Sequence, residues 1–273
     1  MAVEPILRMK GISKSYYGTK VLDSINLSIM PGEVHGIVGE NGAGKSTLMN
    51  ILFGMSVIHS TGGFEGSIEI AGQPVEIKSP LQAMSLGIGM VHQEFMLLPN
   101  YSVAENIKLN REVQKPNFIS RIFGPKLQSL DYDQMYADSR KALERLNIGI
   151  DEYALIAGLP VGHMQFTEIA RELDKQNLRI LVFDEPTAVL GESEADHLLQ
   201  AIKEIAASGI AVLFITHRLN EIIEVCDNIT VLRDGRHVTT KAKQDTNVIE
   251  LAELMVGRSM SFATRQRQSS HQG

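Results

Sequence analysis

The sequence of 273 residues has little of three things: cysteine, long apolar runs and excess positive charge. No stretch approaches the ~18 consecutive apolar residues of a membrane-spanning helix, and no signal peptide opens the chain, so we expect a cytosolic protein that reaches a membrane only through a partner. The single Cys226 excludes an internal disulfide and fits a reducing compartment, where we expect a buried structural thiol. A net charge of −6 argues against a protein that coats nucleic acid.

A glycine-rich loop is the strongest signal in the chain, because it fits the phosphate-binding pattern G-x-x-x-x-G-K-[ST]. An apolar segment, 34–38, precedes the loop and predicts a buried strand, and residues 45–53 predict a helix. Backbone N–H groups of such a loop close around an anion at the positive end of the helix. The alternative is a chance glycine-rich turn, which would not need to lie between a buried strand and a helix. The loop residues are Gly39, Glu40, Asn41, Gly42, Ala43, Gly44, Lys45, Ser46 and Thr47.

The order of predicted elements indicates an α/β fold. Alternating apolar residues from 21 to 29 (positions 21, 25, 27 and 29) predict antiparallel sheet near the N-terminus. Buried parallel strands are predicted at 180–183 and 211–215, with the site at their carboxyl ends. Between these regions we expect an inserted helical subdomain, roughly 94–178, that includes an irregular insertion at 114–130. Residues 261–273 are polar and predict a tail or the start of a linker.

Two carboxylates, Asp184 and Glu185, follow the apolar strand at 180–183. Asp184 can hold Mg²⁺, directly or through its waters, and Glu185 can polarise an attacking water. The alternative is that they cap a following helix. His217 also follows a strand and either donates to a phosphate or is structural; the sequence does not favour one role. Tyr16 either stacks on adenine or packs in the core, and its proximity in sequence to the loop favours stacking.

These features occur in the order seen in ATP-binding-cassette (ABC) ATPases, and the resemblance covers about residues 5–258. Segments 90–94 (MVHQE) and 185–190 (EPTAVL) are similar to the ATPase of bacterial sugar or nucleoside importers, and 255–258 (MVGR) resembles the end of that family's first cassette. The resemblance implies a P-loop NTPase core with a mostly parallel sheet, an antiparallel β-subdomain and an inserted α-helical subdomain. We therefore predict one nucleotide-binding domain over residues 1–260.

The resemblance also implies the cofactors, ATP and Mg²⁺, and a role for each matching residue. It implies Lys45 and Ser46 for phosphate and Mg²⁺, Asp184 for the metal, Glu185 as the base, His217 for the γ-phosphate, Tyr16 for adenine, and Gln93 for sensing Mg²⁺ and water and for relaying to the membrane subunit.

The same resemblance implies partners. A signature segment within 159–165 would serve the nucleotide of an opposite cassette, which is either a tandem half or a separate subunit. Transmembrane permease subunits and a periplasmic or lipoprotein solute-binding protein would complete an importer, with this chain at the cytoplasmic face of the cell membrane and no nucleic acid bound. The signature residues are Leu159, Pro160, Val161, Gly162 and His163.

The signature departs from the family's usual Leu-Ser-Gly-Gly-Gln. Pro160 removes a backbone N–H and a hydroxyl, Val161 replaces the first glycine, and His163 replaces the glutamine. Gly191 stands where the family has an aspartate. We therefore expect the chain's own ATP site to hydrolyse ATP and the site that its signature completes to be weak. A homodimer would place two such signatures over two intact phosphate loops, so we expect low ATPase activity from the isolated protein.

Two other functions remain open at this point. One is a non-transport ABC ATPase acting on nucleic acid or ribosomes, which would need the basic surfaces or long coiled-coil arms that this sequence lacks. The other is a regulatory cassette with a degenerate signature, against which the intact Lys45 and Glu185 argue. Sugar and nucleoside remain alternative solutes, and sugar is preferred only because sugar importers are the larger group.

Overall fold

The structure, a computed structural model, describes residues 4–92 and 94–258. Gln93 and the predicted tail at 261–273 therefore lie outside the described residues. The strands are β1 (Leu7–Tyr16), β2 (Thr19–Ile29), β3 (Val34–Val38), β4 (Glu65–Ile70), β5 (Gln73–Val75), β6 (Ile88–Val91), β7 (Gln114–Lys115), β8 (Ser129–Leu130), β9 (Ile180–Asp184), β10 (Ala211–Ile215), β11 (Asn228–Arg233) and β12 (Arg236–Ala242). The α-helices are α1 (Lys45–Leu52), α2 (Ser56–Ser60), α3 (Pro80–Ser85), α4 (Val103–Ile107), α5 (Phe118–Phe123), α6 (Tyr132–Glu144), α7 (Val161–Leu173), α8 (Glu192–Ala207), α9 (Leu219–Val225) and α10 (Val248–Val256).

The central sheet has six strands among the described residues, in the order β12-β11-β3-β10-β9-β6. Its neighbours are parallel except for the β11–β12 hairpin. Every residue of β3 and β10 is buried, as expected of parallel strands whose two faces are both covered. The hairpin turns through Asp234 and Gly235, both with positive φ, as two-residue hairpin turns of this kind require. The α/β fold with a parallel sheet is therefore confirmed.

The antiparallel sheet has the order β2-β1-β4-β5 and packs beside the phosphate loop. The predicted alternation holds at Ile25, Leu27 and Ile29, which are buried. It was wrong at Val21, since the adjacent Leu22 takes the core position. The cause is Ser24, which has a φ of +52° and lies where the register between β1 and β2 is irregular. The side chains that follow Ser24 therefore point to the other face of the sheet.

The helices α4, α5, α6 and α7 lie between β6 and β9, so the helical subdomain is inserted into the core as expected. Helix α7 begins at Val161, directly after Pro160. The irregular insertion predicted at 114–130 was also wrong in part. It contains the paired strands β7 and β8 and the helix α5, whose start is capped by Asn117. A two-residue strand and a one-turn helix have too little periodicity for a sequence pattern to show them.

Two expectations from the composition, on membrane-spanning helices and on Cys226, can be compared with the described residues. None of the helices within 4–92 and 94–258 has the length and apolar content for crossing a membrane. Cys226 is buried, as predicted, and its burial raises the pKa of the thiol, which makes a weak nucleophile of it.

Candidate nucleotide site

A cavity of about 940 Å³ opens at the carboxyl ends of the parallel strands. The phosphate loop forms one wall, and Asp184, Glu185 and His217 lie along the same cavity. The fold thus brings together Gly39 and His217, which are 178 positions apart, as the strand order predicts for residues that follow β3, β9 and β10. The lining residues are Val21, Gly39, Glu40, Asn41, Gly42, Gly44, Lys45, Ser46, Thr47, Asp184, Glu185, His217 and Met255.

The phosphate loop is shaped by close backbone approaches at two glycines. A Cβ on Gly39 would overlap the carbonyl oxygen of Leu232, and a Cβ on Gly44 would overlap the side chain of Leu22. Gly44 also has a φ of +98° at the N-cap of α1, a conformation that residues with a side chain rarely adopt. The loop therefore closes directly onto the start of α1, where free backbone N–H groups favour an anion.

Lys45 is almost fully buried at the base of the loop. Its Nζ donates to the carbonyl oxygens of Gly39 at 2.7 Å and Glu40 at 3.1 Å. Burial lowers the pKa of Lys45, while the charges of Glu185 and Asp184 oppose this shift. The ammonium is thus fixed within the loop between backbone oxygens and the two carboxylates, where a bound phosphate would meet it.

Asp184 ends β9 and pairs in register with Ile215 at the end of β10. Burial raises the pKa of its carboxyl, and the negative charge of Glu185 adds to this, against the opposing effects of His92 and Lys45. A partly buried carboxylate with a second one beside it is a place where a cation is favoured. Helix α8 begins only at Glu192 and its N-cap is Gly191, so the alternative that the carboxylates cap this helix is wrong.

Glu185 has a left-handed backbone conformation with a φ of +48°, which is uncommon outside glycine and asparagine. Its backbone N–H donates to the carbonyl of Ile215 at 2.8 Å. The carboxylate Oε1 lies 3.1 Å from Nδ1 of His217, and the His217 side chain is mostly exposed on the cavity side. Local backbone strain of this kind persists where the surrounding structure fixes it and often marks functional positions.

Glu221 connects the two strand ends, and our sequence analysis missed it. Its carboxylate accepts a hydrogen bond from the Thr187 hydroxyl at 2.7 Å, and the Thr216 hydroxyl lies at 3.4 Å. Arg218 donates to the other carboxylate oxygen at 3.2 Å. The sequence signal for Glu221 is an acidic residue on the buried face of α9, a short distance after the end of β10. Through this network the segments that carry Glu185 and His217 are held together.

Tyr16 is not among the residues that line the cavity, although Val21 on the neighbouring strand is. The Nζ of Lys14 lies 4.7 Å from the centre of the Tyr16 ring. Lys14 is itself buried, and its ammonium donates to the carbonyls of Ile58 at 3.1 Å, Thr61 at 3.0 Å and Gly63 at 2.7 Å and to the Thr61 hydroxyl at 2.8 Å. One side of the Tyr16 ring thus faces a fixed cation. Adenine stacking by Tyr16 stays a prediction.

Val21 and Met255 are lining residues that the analysis of the sequence did not assign to the site. Val21 had been placed in the core by its alternation, and the change of face at Ser24 moves it to the cavity. Met255 comes from α10, whose last turn is held by Arg233 through a hydrogen bond to the carbonyl of Leu254 at 3.0 Å. The motif 255–258 was the only signal, and it carried no chemical role.

The signature segment lies at the start of α7 and does not line this cavity. Pro160 takes the N-cap position, with φ −56° and ψ 151°, and no side chain caps the helix. A Cβ on Gly162 would overlap the carboxylate of Glu194, so the Glu194 side chain packs closely on the backbone of α7 at this glycine. Leu159, Val161 and His163 flank it on the same turn. Their service to an opposite nucleotide stays a prediction.

Gln93 lies outside the described residues, but the loop after it is firmly attached to α7. The backbone N–H of Met96 donates to Oε1 of Glu168 at 2.5 Å, and its carbonyl accepts from Nη1 of Arg171 at 2.7 Å. Burial raises the pKa of Glu168. The helix that starts with the signature segment therefore also holds the loop that follows Gln93.

A glycine-rich loop between a buried strand and a helix, beside a pair of carboxylates at the ends of a parallel sheet, defines a P-loop nucleotide-binding domain. The family model "ABC transporter" matches residues 22–188, which is more than half of the chain. The chain therefore belongs to the ABC transporter family.

Named relatives agree with this assignment. The chain is 38% identical to the xylose import ATP-binding protein XylG of Thermoanaerobacter pseudethanolicus, over 94% of this chain and 48% of that relative. It is 39% identical to the ribose import ATP-binding protein RbsA of a Chelativorans species, over 97% of this chain and 48% of that relative. The chain thus spans about half the length of the curated relatives that it matches.

Solved structures support the fold. The ADP conformation of MJ1267, an ATP-binding cassette of an ABC transporter, has a TM-score of 0.75 at 27% identity, over 93% of this chain and 99% of that one. A nucleotide-free ATP-binding cassette from an ABC transporter gives 0.74 at 26% identity, over 93% and 95%.

Proposed function

We propose that this chain binds and hydrolyses ATP as part of an ABC importer that powers sugar uptake from the cytoplasmic face of the cell membrane. The single observation that carries the proposal is the shared cavity of Lys45, Asp184 and Glu185. An ammonium, a metal-binding carboxylate and a base around one space are what cleavage of a terminal phosphate requires.

The roles follow from the positions. Backbone N–H groups of residues 39–47 and the Lys45 ammonium would bind the β- and γ-phosphates, and the Ser46 hydroxyl with Asp184 would hold Mg²⁺. Mg²⁺ would neutralise charge on the phosphate oxygens. Glu185 would orient and polarise the attacking water, and His217, 3.1 Å away, would position that carboxylate and donate to the γ-phosphate. Gln93 completes the proposed set as the sensor of Mg²⁺ and water.

Sugar is the proposed solute because the relatives are named for the import of xylose, ribose and galactose. A nucleoside is the second candidate: the segments 160–162 and 95–97 resemble nucleoside importers, whereas the insertion at 62–66 resembles pentose importers. The solute does not enter this site, so the choice depends on the membrane and binding-protein partners.

The proposed partners are a second cassette, transmembrane permease subunits and a solute-binding protein. The second cassette would supply a signature segment to the cavity described above, while residues 159–163 would cover its nucleotide. Because Pro160 itself has neither a side-chain donor nor a backbone N–H, the second site would be weak.

The test is to purify from membranes the complex that forms around this chain and to identify its other proteins. Permease subunits, together with ATP turnover that rises when a sugar-loaded binding protein is added, would support the proposal. Ribosomes or nucleic acid in place of a permease would support the non-transport alternative and overturn it. Single-turnover hydrolysis at each of the two sites would then test the predicted asymmetry, which equal rates would contradict.

A further inference from the structure

The segment 113–130 in the helical subdomain has no role in nucleotide binding, and its composition differs from the rest of the chain. It contains Lys115, Arg121 and Lys126 and no aspartate or glutamate, in a protein whose net charge is −6. Apolar residues alternate with these basic ones along the whole segment. It is therefore a cationic, apolar region on an acidic protein.

The segment is a folded protrusion with its own hydrogen bonds. Strands β7 and β8 pair through Gln114 with Leu130 and Lys115 with Ser129. The Asn117 side chain accepts from the backbone N–H of Ser120 at 2.7 Å and donates to the carbonyl of Leu127 at 2.8 Å. The base and the tip of the protrusion are thus both fixed, so the side chains on α5 are presented in a defined arrangement.

The outer face of α5 is apolar and exposed. Phe118 is 78% exposed, Ile122 59% and Phe123 74%, and the nearby Leu127 is also exposed. Residues four apart lie on the same face of a helix, so Phe118 and Ile122 share one face, and the adjacent, exposed Phe123 extends the apolar surface at the end of α5. We refer to these four residues as the apolar tip. Large apolar side chains clustered in this way on a surface mark an interaction site.

The charges around the apolar tip indicate what it binds. Arg121 and Lys126 make no ion pair with any residue in 4–92 or 94–258. Lys115 is compensated by Asp131 at 3.1 Å, at the base of the protrusion. The unpaired basic side chains therefore lie beside the apolar tip and the paired one lies away from it. Aromatic and aliphatic side chains between free basic ones are the pattern of segments that lie in a membrane interface.

We propose that the apolar tip, with Arg121 and Lys126, docks on the anionic phospholipid surface of the membrane. Phe118, Ile122 and Phe123 enter the headgroup layer while Arg121 and Lys126 bind lipid phosphates. A lipid layer accepts a protruding apolar surface without a complementary groove, and each basic residue near an anionic membrane strengthens binding roughly fivefold. This inference goes beyond the proposed function, since it requires neither ATP hydrolysis nor a particular solute.

The experiment is co-sedimentation of the full chain with vesicles of phosphatidylcholine, with and without about one-third phosphatidylglycerol. We expect binding to the anionic vesicles and at least about tenfold weaker binding to the neutral ones. The double variant Ile122→Ser, Phe123→Ser is expected to weaken anionic-vesicle binding at least tenfold, and Arg121→Gln, Lys126→Gln to weaken it and remove its dependence on phosphatidylglycerol.

The matched control is Leu81→Ser, because Leu81 on α3 is 78% exposed but lies outside the segment. It should bind vesicles as the unaltered chain does, and all variants should keep ATP binding, which shows that they fold. Absence of binding to anionic vesicles, or equal loss in the Leu81 variant, would overturn the proposal. If the segment variants bound vesicles normally but lost the permease subunits on purification from membranes, the apolar tip would be a protein interface and the proposal would be wrong.

Discussion

The N-termini of helices α1 and α7 are built differently. Helix α1 begins after Gly44, in a loop of glycines with Lys45 as its first residue. Helix α7 begins after Pro160, with no side-chain cap and with Val161 exposed at its first turn. Each start has backbone N–H groups without partners in the helix, but only the first adds an ammonium and an open cradle.

A helix N-terminus alone is therefore not enough to bind a phosphate. At α1 the loop geometry, Lys45 and the carboxylates of Asp184 and Glu185 converge on one cavity. At α7, Pro160 has no N–H and no hydroxyl to donate, and the carboxylate of Glu194 lies against Gly162. The start of α1 therefore carries the groups that bind a phosphate, whereas the start of α7 packs on α8 without an ammonium beside it.

The largest expected effect concerns the site at α1. Glu185→Gln should reduce ATP turnover by about 10²- to 10⁴-fold, because the amide cannot act as a base for the attacking water. ATP binding should persist, since Lys45 and the loop are unchanged. Turnover and nucleotide retention are to be measured in the complex purified from membranes. Unchanged turnover would favour the regulatory alternative and place hydrolysis at the other site.

The next largest effect is expected at the start of α7. Pro160→Ser should raise the ATPase activity of the isolated protein about tenfold or more, because it restores a hydroxyl and a backbone N–H, and a hydrogen bond to a charged group contributes roughly 1.5–3 kcal/mol. Pro160→Ala is the matched control, since it restores only the N–H and should give a smaller increase. If neither variant changed the rate, Pro160 would not be the cause of the low ATPase activity of the isolated protein.

A third prediction concerns the Lys14 ammonium beside the Tyr16 ring. Lys14→Met should weaken ATP binding about five- to tenfold, as a cation–π contact of roughly 1 kcal/mol and the fixed ring position are lost. Affinity for inorganic triphosphate should stay the same, because the phosphate loop does not change. Tyr16→Ala should cause a similar loss, and the double variant should add little. An equal loss of triphosphate affinity would instead show a general structural defect.

The smallest effect is on stability. The folded-state pKa of Asp184 is raised, mainly by burial and also by Glu185, so its ionised form opposes folding and stability falls as pH rises through the titration of this carboxyl. Asp184→Asn should therefore raise the melting temperature of the nucleotide-free protein at pH 7 by about 2 °C or more. The gain should shrink in acid, where Asp184 is protonated. Scanning calorimetry at pH 7 and below pH 3.8, the ordinary pKa of an aspartate, measures both, and a lower melting temperature of the variant at pH 7 would contradict the assignment.

Much of this site could be predicted from the sequence because its residues follow strong local patterns. The loop 39–47 has a fixed spacing, and apolar strands lead directly to Asp184 and His217. Residues whose position depends on distant partners were missed. Glu221 acts through Thr187, and Met255 reaches the cavity because Arg233 holds α10. Val21 was placed on the wrong face because one left-handed residue, Ser24, is invisible to a two-residue period.

The attachment of Met96 to Glu168 and Arg171 has a mechanical consequence. Any rotation of α7 pulls on the loop after Gln93, because both the N–H and the carbonyl of Met96 are held by that helix. The front of the same helix is where an opposing cassette would press. A membrane subunit that rested on this loop would therefore be coupled, through Met96, to the same helix that an opposing cassette would contact.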